Sequence, residues 1–248
     1  MANTVVMPVC KRPEMLALAL EALDRTQADL DVRIYADTQT NLDEVEYTRD
    51  VYFPDALIFH AKPHAQVPSG MWNILSALKA GYATGSPYVF LVEEDVVVKP
   101  DFFDWHMEAQ ASGNYLATCG RRMRNYPQFV MYTNPGACFA HDKLGLVVEH
   151  INDDLFSNSR VYMDMTFGSM DESSDLDDGL IRRVARQHQL TVKYPESPKC
   201  SHIGFRGYRQ LDIAQNDGDI ATRIAGLRQM LAKIDVNARY FSRDLDPL

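Results

Sequence analysis

The chain has 248 residues, 46% hydrophobic and 24% charged, which suits one globular domain with a sizeable core and excludes a disordered or low-complexity protein. Acids outnumber bases 34 to 25, a formal charge of −9 that disfavours non-specific attraction to a nucleic-acid backbone. No stretch reaches the roughly 18 apolar residues that span a bilayer, Met1-Ala2-Asn3-Thr4 has no basic leader, and Cys10, Cys119, Cys138 and Cys200 form no C-x-x-C pair, so the expectation is a reduced, cytoplasmic protein without a membrane segment.

In chain order, Thr4-Val5-Val6-Met7 is a short apolar run that stops at Pro8, and Pro13 opens a segment with Leu16, Ala19, Leu20 and Leu23 at helical spacing. Val32 to Ala36 reads as a second strand ending at Asp37, and Ala56 to His60 as a third. Ser69 can cap a helix whose Met71, Ile74, Leu75 and Leu78 form one apolar stripe. Tyr88 to Val92 is apolar without alternation, as expected of a strand covered by helices on both faces of a parallel sheet. The first hundred residues therefore predict a Rossmann-like half.

The second half predicts strands at Tyr115 to Cys119 and Phe129 to Tyr132, a helix presenting Leu144, Val147, Val148 and Ile151, and a mixed sheet. Asp153 to Ser174 lacks sustained periodicity and reads as a long functional loop. Ile220, Ile224, Leu227, Leu231 and Ile234 share one stripe of a final helix.

The most informative segment is Phe90-Leu91-Val92-Glu93-Glu94-Asp95-Val96-Val97-Val98, where three acids interrupt an apolar strand. Consecutive carboxylates repel, and at the carboxyl end of a parallel strand they can meet a divalent cation such as Mg²⁺ or Mn²⁺ together with substrate phosphate. An exposed acidic turn is the alternative reading.

Glu93-Glu94-Asp95 followed by Lys99-Pro100-Asp101-Phe102-Phe103 resembles the D-x-D type motif of GT-A nucleotide-sugar glycosyltransferases, closest to the N-acetylglucosaminyltransferase I group. The resemblance implies one α/β GT-A domain over 1–248: a nucleotide-sugar-binding half (1–112), an acceptor and catalytic half (113–210), and a helical extension (211–248). It implies that Asp95 holds the metal and that Glu93 and Glu94 lie beside the ribose or the transferred sugar. Cys10-Lys11-Arg12-Pro13 resembles the Cys-Asn-Arg stretch after the family's first strand, which places Pro8, Cys10 and Arg12 at the donor; Asp37 resembles its nucleobase-binding acid. Read without the family, Arg12 is a residue at a helix start and Asp37 an Asx-turn.

Asp175-Leu176-Asp177-Asp178-Gly179 is similar to the family's Asp-Asp segment, which implies Asp177 as catalytic base with Asp178 beside it, though Leu176 and Gly179 stand where the family has tryptophans. Helix capping by these acids is the structural alternative. Ser201-His202-Ile203-Gly204 resembles the family's late metal-binding histidine, and Arg206 follows in a basic loop suited to a diphosphate. The implied activity is metal-dependent, inverting transfer of a hexosyl or N-acetylhexosaminyl group from a UDP-sugar to a hydroxyl. The acceptor stays open among glycan, metabolite, protein and modified DNA base, and the clusters Arg121, Arg122, Arg124 and Arg182, Arg183, Arg186 leave an anionic one open. A sugar nucleotidyltransferase would need a glycine-rich first loop, which Pro8 to Arg12 is not; a non-catalytic nucleotide-sugar-binding module is the third reading.

Overall fold

A computed structural model describes residues 2–60, 62, 69–121, 136–168, 176–203 and 218–236. The predicted strand Phe129 to Tyr132, together with Arg122, Arg124, Asp175, Gly204 and Arg206, lies outside them. In chain order the elements are β1 (Asn3–Val9), α1 (Pro13–Arg25), β2 (Leu30–Ala36), α2 (Leu42–Tyr52), β3 (Leu57–His60), α3 (Ser69–Tyr82), β4 (Tyr88–Leu91) and β5 (Val96–Val98). They continue with α4 (Phe102–Ala111), β6 (Tyr115–Cys119), β7 (Ala137–Ala140), α5 (His141–Val148), α6 (Asp153–Ser157), α7 (Ser159–Phe167), α8 (Leu176–Gln187), β8 (Thr191–Lys193), β9 (Cys200–His202) and α9 (Ile220–Val236).

Seven strands form one sheet in the order β3-β2-β1-β4-β7-β6-β8, and β5 pairs with β9 in a separate two-stranded ribbon. The strands β3, β2, β1 and β4 are mutually parallel, whereas β7 runs antiparallel to both neighbours, β4 and β6. This is the expected Rossmann-like half joined to a mixed second half. Val5, Met7, Val9 and Phe90 look into one core with α1, while Val6, Val89, Leu91 and Phe139 look into the other with α3, α5 and α8. The near-continuous apolar character of β1 and β4 follows from burial on both faces.

Two sequence expectations are corrected. The first strand runs through Pro8 to Val9. Its residues alternate between neighbours: the Val6 carbonyl accepts from the Val92 amide on the β4 side and the Val9 carbonyl from the Asp37 amide on the β2 side. Pro8 therefore faces the β4 side beyond the last registered pair, Val6 with Leu91, where its missing N–H leaves no registered partner unsatisfied. The segment from Asp153 is not one long loop but carries α6 and α7. Each helix begins at an asparagine whose side chain accepts a backbone N–H, Asn152 from Leu155 at 3.0 Å and Asn158 from Val161 at 3.2 Å. Leu155, Phe156 and Met163 then bury against the second core, Phe156 edge-on to Trp72. Helices of five and nine residues are too short to show a period, so the caps and the tertiary contacts decide.

The ribbon is seated on the sheet at a crowded point. The Gly120 amide donates to the Gly136 carbonyl at 2.7 Å, and the Lys199 amide to the Gly120 carbonyl at 2.7 Å, so β6, β7 and β9 meet there. A Cβ on Gly136 would sit 2.9 Å from Cys200 Sγ and 3.0 Å from Phe102, and Gly136 has φ of 63°. Gly136→Ala is expected to destabilise the protein by about 2–4 kcal/mol, combining left-handed strain with overpacking, as read by urea denaturation. A loss under about 0.5 kcal/mol would show that the junction yields freely.

Candidate active site

The carboxyl ends of β1, β2 and β4 lie side by side, which is where open parallel sheets bind ligands. After β4 the chain turns through Glu93-Glu94-Asp95, closed by a bond from the Val96 amide to the Glu93 carbonyl, and enters the ribbon. The ribbon register pairs Val96 with His202, and the Ile203 amide donates to the Asp95 carbonyl at 2.8 Å. A residue 107 positions away in sequence is thus placed against the last acid of the triplet: His202 Nε2 lies 3.2 Å from Asp95 Oδ2.

From the other side Arg12 reaches in from the β1–α1 loop, where Lys11 has φ of 63° and its amide donates to Thr40. Arg12 places Nη2 2.6 Å and Nε 2.8 Å from Glu94 Oε1, and Nη1 2.7 Å from Asp95 Oδ2. Both acids are only 2% exposed. Burial pushes the Glu94 carboxyl up to about 7 despite Arg12. For Asp95 burial also opposes ionisation, but the His202 hydrogen bond and the charges of His202 and Arg12 outweigh it and hold the carboxyl below its usual range. Glu93 is pushed well up by burial and by the charges of Asp95, Glu94 and Asp177, so Asp177 lies within electrostatic reach of the triplet. Among the described residues Arg12 and His202 contact these acids, Arg12 touching Glu94 and Asp95 and His202 touching Asp95.

Asp177 and Asp178 open α8, where acids complement the helix dipole. One residue advances about 100° around a helix, so the neighbours face different ways. Asp177 is buried toward Glu93, while Asp178 lies 3.5 Å from Arg182 one turn on. Asp37 ends β2 and does close an Asx-turn: its Oδ1 accepts from the Gln39 amide at 2.8 Å and the Thr40 hydroxyl at 3.0 Å, and its Oδ2 from the Cys10 thiol at 3.0 Å. Burial, then that hydrogen bond, push the Cys10 thiol up to about 12, so Cys10 is a neutral thiol that ties the first loop to the second. None of the four cysteines is in a disulfide.

Sequence reasoning missed Asn73. Its amide donates to the Tyr35 carbonyl at 2.6 Å and the Val9 carbonyl at 3.4 Å, clamping the ends of β1 and β2 beneath Cys10 and Asp37. The only signal was a polar residue beside an apolar helical stripe. Its Oδ1 is buried without a hydrogen-bond partner among the described residues.

No protein-family model and no curated protein matches the sequence. Among solved structures, S. aureus TarS 1–349 matches with 14% identity over 81% of this chain and 60% of that one, at a TM-score of 0.50. The fold is that of the GT-A glycosyltransferases. The glycosyltransferase GlyE of Streptococcus pneumoniae matches with 11% identity over 79% of this chain and 45% of its own, at 0.48. TarS 1–349 in complex with UDP-GlcNAc matches with 13% identity over 63% and 48%, at 0.44. The chain spans about half the length of these GT-A structures. Among the described residues no helix is long and apolar enough to cross a membrane, and no three His, Cys, Asp or Glu side chains cluster as a metal cage.

Because Arg12 is, among the described residues, the one cation that touches both Glu94 and Asp95, Arg12→Met should destabilise the metal-free protein by about 2–3 kcal/mol, below the usual cost of breaking a buried pair because Arg12 is partly exposed. Adding Glu94→Gln should restore about half of that loss in urea denaturation. A double variant no more stable than Arg12→Met would mean that Arg12 acts through packing rather than charge.

Proposed function

We propose that the protein is a glycosyltransferase that moves a sugar from a uridine diphosphate sugar to an acceptor hydroxyl, with a divalent cation and with inversion. The observation that carries this reading is the convergence of Arg12, Glu94, Asp95 and His202 at the carboxyl edge of a GT-A sheet, with Asp177 within electrostatic reach of Glu93. The donor set fits Mg²⁺ or Mn²⁺. Asp95 Oδ1 is buried and lacks a hydrogen-bond partner among the described residues, and these cations take one or two protein ligands, completing their shell with water and phosphate. Asp95 and His202 would hold the cation, which would neutralise the departing diphosphate.

The chain's own groups then divide the work. Asp37 and Asn73 border the ends of β1 and β2, where the nucleobase would lie; Arg12 meets phosphate once it leaves Asp95; Glu93 and Glu94 bound the ribose and sugar. Asp177 takes the proton from the acceptor hydroxyl as its oxygen attacks the anomeric carbon from the face opposite the diphosphate. The new C–O bond forms, the bond from the anomeric carbon to the phosphate oxygen breaks, and its electron pair departs with UDP. Asp178, held by Arg182, positions the start of α8. Arg206 is assigned to the diphosphate on the resemblance alone.

Titration calorimetry of UDP-GlcNAc and UDP-glucose in Mn²⁺ tests the donor and metal together. Binding is expected in Mn²⁺, at least ten-fold weaker in EDTA, and equally weakened by Asp95→Asn; affinity indifferent to chelation and to Asp95→Asn would remove the metal from the reading. Asp177→Asn should retain donor binding but lower transfer about 10² to 10⁴-fold, the usual contribution of a positioned general base. Normal turnover in that variant, or a product that keeps the donor's anomeric configuration by NMR, would defeat the inverting mechanism.

A further inference from the structure

Arg183 has no role in the site above, yet it is 5% exposed. Among the described residues its Nη1 contacts the Gly179 carbonyl at 3.4 Å and Met163 Sδ at 3.5 Å, and its Nε is buried without a hydrogen-bond partner. Asp178 pairs with Arg182, Asp164 lies 3.9 Å from Arg160, and Asp177 stands six residues earlier on α8. Among the described residues Arg183 has no carboxylate partner. A buried charge needs a compensating one, and a guanidinium, unlike a lysine amine, does not escape the need by losing its proton.

Arg183 lines a cavity of about 270 Å³ between α7 and α8, with Thr166, Phe167, Arg186 and Gln187 as the other walls. From these residues we propose that the cavity is a binding site for a phosphate group, carried by a small phosphorylated molecule or present as inorganic phosphate. The planar fork of Arg183 suits two oxygens of an oxyanion, and Arg186 brings a second positive charge that suits a dianion over a monoanion. The Thr166 hydroxyl and Gln187 amide are hydrogen-bonding groups of the right kind, and Phe167 gives an apolar wall. The negative end of the α8 dipole lies nearby and opposes an anion, which two arginines are needed to outweigh. The volume exceeds that of phosphate alone and falls below the roughly 300–1,000 Å³ of drug-sized sites, so a sugar-phosphate-sized ligand is the upper limit. Arg183 lies six residues along α8 from Asp177, about 9 Å of helix rise and on another flank, so the pocket is separate from the candidate active site.

The test is a titration of the full chain with inorganic phosphate and, separately, a hexose 6-phosphate. It is followed by calorimetry and by the ¹⁵N–¹H signals of the arginine side chains, with sodium chloride at equal ionic strength as control. Saturable binding that moves the Arg183 Nε–H signal is expected, with affinity at least ten-fold lower in Arg183→Met and intermediate in Arg183→Lys. Arg183→Met should fold with an unchanged or raised Tm in the absence of phosphate, since it removes a charge without a partner. Tighter binding of the hexose phosphate would identify a phosphorylated small molecule, and equal affinities the phosphate itself. No response beyond chloride, or equal affinity in Arg183→Met and Arg183→Lys, would overturn the site. Neither result depends on the transferase reading, which donor binding tests separately.

Discussion

Everything at the carboxyl edge of the sheet depends on one guanidinium placed between two buried acids. Glu94 and Asp95 are adjacent and almost wholly out of water, an arrangement that is costly for one ionised carboxylate and more so for two. Arg12 makes it tenable because its fork reaches both at once, which a lysine's single ammonium centre could not do as well. Arg12 can be there because β1 continues through Pro8, the backbone turns at Lys11, and Thr40 and Asp37 hold that turn from the next loop. Glu93 lies beside the pair, and burial together with the charges of Asp95, Glu94 and Asp177 pushes its carboxyl well above the usual range, so protonation relieves part of the crowding.

The ribbon of β5 and β9 converts this local chemistry into a property of the whole fold. It carries Asp95 at the entrance of one strand and His202 within the other, so their separation is set by strand register rather than by loop conformation. The reverse side of the same ribbon packs on α1, and Cys200 is wedged against Phe102, Gly120 and Gly136. Rigid strands place a side chain more exactly than a loop does. The last helix, α9, adds ion pairs of Arg223 with Glu44 at 2.5 Å and Arg228 with Glu21 at 2.7 Å, fixing α1 and α2 from outside.

How much of this was legible depends on whether the signal is local. The apolar runs of β1, β2 and β4 and the stripes of α1 and α3 are periodic over their own length, and they were read closely enough to give the Rossmann-like half. The acid triplet was visible because charge inside an apolar strand contradicts its neighbours. By contrast, the pairing of Val96 with His202 and the insertion of β7 between β4 and β6 are long-range events without a local signature. The helices α6 and α7 escaped notice because two asparagine caps and a few buried side chains, not a hydrophobic period, define them. Asp37 illustrates a different limit: the sequence is compatible with an Asx-turn and with a nucleobase contact at once, and the turn is formed. Arg183 was read as part of a basic cluster because sequence carries no information on which of three neighbouring arginines points inward.

The crowding of negative charge also bears on the order of events at the candidate site. On the proposed function, a nucleoside diphosphate would bring about two further negative charges to an edge lined by Glu93, Glu94, Asp95 and Asp177, which would repel it to the extent that those acids are ionised. A divalent cation at Asp95 Oδ1, the oxygen without a hydrogen-bond partner among the described residues, would offset that charge and weaken the hold of Arg12 on Oδ2 of the same carboxylate. Displaced from Asp95, Arg12 keeps its two contacts to Glu94 and presents its remaining donors to phosphate. Cation and donor would then raise each other's affinity by the same factor, as linkage requires of two ligands that share one site. On this reading Arg12 is both the guard of the empty site, holding the acids together without metal, and a phosphate ligand of the filled one. The same geometry explains why it is arginine that stands at the start of α1.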